Sequence, residues 1–345
     1  MPQGDALAKE MLSQWRERNQ RFGFVRETIA TDFKGHKVVA VGSRLHIGKG
    51  WKTFGDFLMG YMSNILGENW GNGEIKKPFA DRHPIMQWYD GVCKWQRRFI
   101  KVPGEPQYSV LDGVAAAYYM LAYDLYTIDH NAQLQNEVLR RLKIKDQFQG
   151  ARYELTVAAL MVRAGFSIEF ENERDRSGQH PEFKAKHRTS GVVVAVEAKS
   201  RHRSGILGRP GDMRKVLKVD VGHLLTQAVL KEPEIPYVIF VDLNVPPLPR
   251  EWGMDFANTN LGKELMKTVE RAGKHFGDGM DHFNAVFFTN YPHHYGDELQ
   301  DDPARHFLAS ISMNPKHPVV DQRCLHSIPE ALNKYGNIPK DFSDA

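Results

Sequence analysis

Cysteine is almost missing: Cys93 and Cys324 are the only two among 345 residues. They are too few and too far apart for a disulfide framework or a thiolate zinc site, and this suits a reducing compartment with both thiols free. No apolar run approaches the roughly eighteen residues of a bilayer-crossing helix. Met1-Pro2-Gln3-Gly4-Asp5 lacks a signal-peptide profile. Internal repeats and long low-complexity tracts are also missing. These absences exclude a secreted disulfide scaffold, a helical membrane protein and a repeat array, and they lead to the expectation of a cytoplasmic protein without a membrane partner. What is present is ordinary globular material, 41% hydrophobic and 26% charged, in a chain long enough for one large or two ordinary domains.

The most informative segment runs from Pro181 to Ser200. Pro181 to His187 and Val192 to Glu197 read as two strands around Arg188-Thr189-Ser190-Gly191, whose Ser and Gly are turn residues. With the turn centred between Thr189 and Ser190, Glu182 faces Glu197, Phe183 faces Val196 and Ala185 faces Val194, so apolar pairs with apolar. A shift by half a residue would break that match. Strand periodicity puts Glu197 and Lys199 on one face and Val192, Val194, Val196 and Ala198 on the other. Directly opposed Cβ atoms lie about 4.5 to 5.5 Å apart, close enough for two carboxylates to share a cation.

Paired carboxylates on one face repel unless something neutralises them. Mg²⁺, for which Mn²⁺ often substitutes, prefers oxygen ligands and commonly uses one or two carboxylates together with substrate phosphate oxygens. The expected substrate is therefore a phosphodiester. The metal would polarise the phosphoryl oxygen and acidify a water, and Lys199 would position or activate that water while offsetting developing negative charge.

In order and context these residues resemble the PD-(D/E)xK nuclease superfamily, the restriction-endonuclease-like fold. The resemblance rests on Gly150-Ala151-Arg152-Tyr153-Glu154-Leu155 at the opening of a helix, then Pro181-Glu182-Phe183, then Val196-Glu197-Ala198-Lys199-Ser200. It implies that Glu182 and Glu197 bind metal together with the Ala198 carbonyl, that Lys199 is catalytic, and that Glu154 completes the acidic set. Glu182 stands where the family usually has Asp. Gln227 sits where some members carry a glutamine, and Lys231 stands where a tyrosine often follows it. Glu154 read by itself fits equally well as a helix glutamate paired with a nearby arginine.

Charge is uneven along the chain. The formal net charge is +4, yet Arg174 to Lys218 carries twelve basic residues against four acidic ones. A basic surround attracts a polyanion and makes binding salt-dependent, so nucleic acid is the expected partner, DNA favoured. Arg201, His202 and Arg203, with Arg214 and Lys215 further on, are the expected phosphate contacts.

Two regions differ in character. Residues 1–145 read as mainly helical, with helical spacing over Asp5–Phe22, Thr53–Leu66, Pro84–Phe99, Val110–Thr127 and Ala132–Lys143 and a single strand at Lys37–Val41. Five of the six tryptophans fall in the first 95 residues, as core or as a stacking surface. Target recognition, homodimer formation and partner coupling all remain open for this region. Residues 146–345 alternate: helix Gln149–Ala164, strand Ser167–Glu171, the hairpin, helix Met213–Lys231, strand Tyr237–Leu243, helix Gly262–Lys274 and strand Asn284–Thr289. This is the pattern of an α/β domain with a mixed central sheet flanked by helices.

Two features carry no chemistry. Gly42 to Gly50 has one residue too many between its glycines for a phosphate loop and lacks the final hydroxyl. His275, His282, His293, His294 and His306 match no metal-ligand spacing. The sequence leads to a Mg²⁺-dependent endonuclease, with restriction, defence or repair among its settings. The runner-up is a nucleic-acid-binding or assembly protein whose catalysis is weakened by Glu182 in place of Asp.

Overall fold

A computed structural model describes residues 2–102, 104–111, 113–170, 180–202, 220–245, 256–291 and 307–345. Helix α1 (Pro2–Phe22) is followed by strands β1 (Ile29–Phe33), β2 (His36–Val41) and β3 (Arg44–Gly48). These form a three-stranded antiparallel sheet where the sequence suggested one lone strand. The Gly42–Gly50 stretch is the turn and third strand of that sheet, and Gly42 takes the left-handed backbone, φ +56°, that the turn into β3 requires. One face of the sheet exposes Ile29, Phe33, Leu45 and Ile47.

Helices α2 (Phe54–Leu66), α3 (Glu68–Ile75), α4 (Pro84–Phe99), α5 (Gly113–Asn131), α6 (Asn136–Leu142) and α7 (Lys145–Arg163) follow. A capping box starts α2: Thr53 Oγ accepts from the Asp56 N–H at 3.1 Å, and the Asp56 carboxylate accepts from the Thr53 N–H at 2.8 Å. In α4, Pro84 occupies the first turn and the His83 ring caps it. Of the tryptophans in this region, Trp88 and Trp95 are buried, Trp51 and Trp70 pack partly buried against the core, and Trp15 is exposed.

The second sheet has six strands in the order β4 (Phe166–Phe170), β5 (Phe183–His187), β6 (Val193–Ser200), β7 (Tyr237–Asp242), β8 (Ala285–Thr289), β9 (Phe307–Ile311). The β6–β7 and β7–β8 pairs are parallel and the others antiparallel, so the sheet is mixed as expected. Helices α8 (Gly222–Val229) and α9 (Asn260–Gly273) cover one face. Helix α7 covers the other face, and α10 (Arg323–Asn333) packs against α7.

The larger core runs without a break across residue 145, joining Phe54, Tyr61, Trp88 and Tyr123 to Tyr153, Val196, Phe240 and Leu325. A smaller core joins Ala195, Ile239 and Val241 to Leu225 and Leu265. Both faces of β6 are therefore covered, which explains its near-continuous apolar run. Among the described residues no helix is long and apolar enough to cross a membrane.

Candidate functional site

The β5–β6 hairpin delivers the acidic residues. Phe183 pairs with Val196 and Ala185 with Val194, the register expected from the sequence. At the turn, the Gly191 N–H donates to the His187 carbonyl at 2.8 Å, the Ser190 hydroxyl meets His187 Nδ1 at 2.8 Å, and Gly191 takes φ +74°. Glu182 precedes β5, and its N–H donates to the Val196 carbonyl at 3.0 Å, which holds it beside Glu197. Parity then decides the faces. Val194, Val196 and Ala198 enter the larger core, while Ala195 enters the smaller core on the α8 side. Glu197 and Lys199 share the face of Ala195.

Glu197 is the unusual residue, a carboxylate with no solvent exposure in a central strand. Neither of its oxygens accepts a well-directed hydrogen bond among the described residues. Two ammonium groups lie at ion-pair distance instead: Lys199 Nζ is 2.6 Å from Oε1 and Lys231 Nζ is 2.9 Å from Oε2. Lys231 Nζ also lies 3.7 Å from Glu182 Oε1 and donates to the His180 carbonyl at 2.7 Å. Burial, reinforced by the Glu182 charge, raises the Glu197 pKa against the pull of Lys199 and Lys231. Burial alone would depress Lys199, but Glu197, Glu182 and Glu154 outweigh it and raise its pKa. Lys199 is thus an ammonium at neutral pH, fitted to stabilise negative charge. Tyr237, pushed up by burial and by the same two carboxylates, donates to the Ala228 carbonyl at 2.9 Å.

Glu154 on α7 is clamped by Arg141, whose two terminal nitrogens donate to its oxygens at 2.7 and 2.5 Å. The structure brings Glu182, Glu197 and Lys199 together, and the charge of Glu154, held by Arg141 on the neighbouring helix, reaches Lys199 through space. Among the described residues no three Asp, Glu, His or Cys side chains converge on one metal point. Two carboxylates and neighbouring backbone carbonyls still match the oxygen donors Mg²⁺ takes. The buried, poorly hydrogen-bonded Glu197 oxygens favour a cation. The donor chemistry therefore fits a divalent ion.

The exit of β6 is tied down by groups that sequence reasoning passed over. Ser200 Oγ donates to Asp242 at 3.3 Å, the Arg201 N–H donates to the Asp242 carbonyl at 3.1 Å, and Asn244 Nδ2 donates to the Arg201 carbonyl and to Gln149 of α7, each at 2.7 Å. His202 is exposed beside Gly150. Arg203, Arg214 and Lys215 are among the seven of the twelve basic residues between Arg174 and Lys218 that lie outside the described residues, as do His293, His294 and His306. The helix expected over Met213–Lys231 is described from Gly222 to Val229 only.

Lys231 is the site residue that sequence reasoning left aside. Its position marks only the place where the resembled family often has a tyrosine, and a lysine there reads as ordinary helix-end dipole chemistry, so its type gives no sign of a role at the carboxylates. No family model, curated protein or solved structure matches the chain.

Proposed function

We propose that this chain is a metal-dependent endonuclease that hydrolyses phosphodiester bonds in nucleic acid, preferentially DNA, on a restriction-endonuclease-like arrangement. One observation carries this reading: a single hairpin presents Glu182, the fully buried Glu197 and Lys199 at one point, with Lys199 Nζ 2.6 Å from Glu197. A buried carboxylate held between two ammonium groups is a costly arrangement to keep as packing alone. Glu182, Glu197 and the Ala198 carbonyl would hold Mg²⁺ or Mn²⁺, which supplies Lewis-acid charge at the phosphoryl oxygen and an acidified water. Lys199, kept charged by three carboxylates, stabilises negative charge building on the scissile phosphate and donates a hydrogen bond that orients the attacking water. Glu154 sustains that charge from α7 through space. Arg201 and His202 follow the end of β6 and would contact neighbouring phosphates, and Arg203, Arg214 and Lys215, outside the described residues, are proposed as further contacts on the strength of their charge alone.

The test is incubation of the full chain with supercoiled plasmid in Mg²⁺ or Mn²⁺, beside Lys199→Ala and Glu197→Ala. Nicking or linearisation is expected from the parent protein and a loss of at least about a hundredfold in each variant. Cutting that persists in both variants defeats the proposal.

The Lys231 ammonium between the two carboxylates favours a second reading, a nucleic-acid-binding or assembly protein with weakened catalysis. That reading predicts salt-sensitive retention of DNA with no cutting under either metal.

A further inference from the structure

Lys231 sits in the turn after α8, and its ammonium has three oxygen neighbours, two from the segment leading into β5 and one from β6. These are the His180 carbonyl at 2.7 Å, Glu197 Oε2 at 2.9 Å and Glu182 Oε1 at 3.7 Å. One carbonyl and two carboxylates form the kind of oxygen cradle a hard divalent cation takes. Here the cradle holds a cation supplied by the chain itself. The repulsion between Glu182 and Glu197 that would otherwise call for a metal is already relieved, with two ammonium groups set against two carboxylates.

A divalent ion bound by Glu182 and Glu197 and the Lys231 ammonium cannot occupy the same point. Metal–oxygen distances of about 2.1 Å leave no room for a third charge between the two carboxylates. We infer that Lys231 is a tethered counter-ion at the divalent-cation position, which the metal must displace in order to bind. This regulation concerns the same site and rests on the metal-dependent reading above.

The local architecture permits such a displacement without unfolding. The Lys231 N–H donates to the Ala228 carbonyl at 3.1 Å and the Glu232 N–H to the Val229 carbonyl at 3.3 Å, so the backbone is held. The next side chain, Glu232, is anchored by His282 Nδ1 at 2.5 Å and Lys316 Nζ at 3.1 Å. Only the flexible four-carbon stem of Lys231 has to move. The tether keeps the ammonium at high effective concentration over the carboxylates. Metal affinity is lowered accordingly, and the protein without metal keeps a neutralised core.

The test is calorimetric titration of the full chain with MnCl₂ at fixed ionic strength, without nucleic acid. Lys231→Met is expected to bind Mn²⁺ at least tenfold more tightly than the parent. Lys231→Arg, which keeps the charge in a bulkier group, is expected to bind no more tightly than the parent. Glu197→Gln is expected to abolish binding in either background. In the unsubstituted protein, mass spectrometry after amine acetylation should show Lys231 labelling rise severalfold with Mn²⁺, a readout that stands even if a variant fails to fold. Equal affinities within threefold for parent and Lys231→Met, or unchanged Lys231 labelling at saturating Mn²⁺, overturn the displacement and leave the nuclease reading standing. No Mn²⁺ binding in any form overturns both.

Discussion

The packing of α4 on α7 makes a sharp prediction about pH. His83 caps α4: its ring Nδ1 accepts from the Ile85 N–H at 3.3 Å, which requires the neutral imidazole. The ring packs edge-on against Phe148 of α7 at 5.0 Å and against Trp70 at 5.3 Å, and Nε2 is buried without a hydrogen-bond partner among the described residues. Burial lowers its pKa from 6.5 to about 4. The unfolded chain therefore binds a proton that the folded chain refuses. Stability from the neutral ring is fully present above pH 6.5 and is lost as pH falls toward 4. A difference of about 2.5 units at 1.36 kcal/mol each amounts to about 3 kcal/mol. Urea unfolding followed by tryptophan fluorescence between pH 7 and 4 should show this loss, with a slope near 1.4 kcal/mol per pH unit mid-window. His83→Asn keeps a capping acceptor and removes the titration. Its absolute stability falls because ring packing is lost, but its slope through the window should flatten by about one proton. A variant slope equal to that of the parent would refute the reasoning.

Other consequences follow from named contacts. Arg163 donates to Asp124 at 3.1 Å with both side chains almost wholly buried, so Arg163→Met should cost about 3–5 kcal/mol in a denaturant titration, and adding Asp124→Asn should restore much of it. Gly23 adopts φ +77°, and a Cβ there would stand 2.5 Å from the Arg163 carbonyl oxygen, so Gly23→Ala should lower stability by at least about 2 kcal/mol and visibly reduce the melting temperature. Thr53→Ala removes the cap of α2 and should cost about 1 kcal/mol by the same titration.

Much of the site was legible because β-hairpins obey parity. The turn residues and the need to pair Phe183 with Val196 and Ala185 with Val194 determine which face Glu182, Glu197 and Lys199 share, and the observed register agrees. The parallel neighbours Tyr237–Asp242 and Ala285–Thr289 announced themselves as continuous apolar runs. Strands β1 and β3 did not, because their apolar residues face outward and alternate with charged and polar ones. The apolar run of β6 breaks at Glu197, and local pattern could not show that the cover on both faces continues past that point. Glu197 therefore reads in the sequence as a strand-end carboxylate and stands in the structure as a buried one. The partner that gives it meaning, Lys231, comes from the turn after α8, where local pattern could not connect it to β6. Glu154 illustrates the same limit: its helix was legible, but its clamp by Arg141, thirteen residues earlier, depends on how α6 meets α7.

The most direct test of the central claim is a crystal structure of the full chain grown with Mn²⁺, with the ion located by its anomalous signal. The account predicts a peak within coordination distance of both Glu182 and Glu197, with the Lys231 side chain swung clear of the two carboxylates. No peak at saturating Mn²⁺, with Lys231 still bridging the pair, would contradict it.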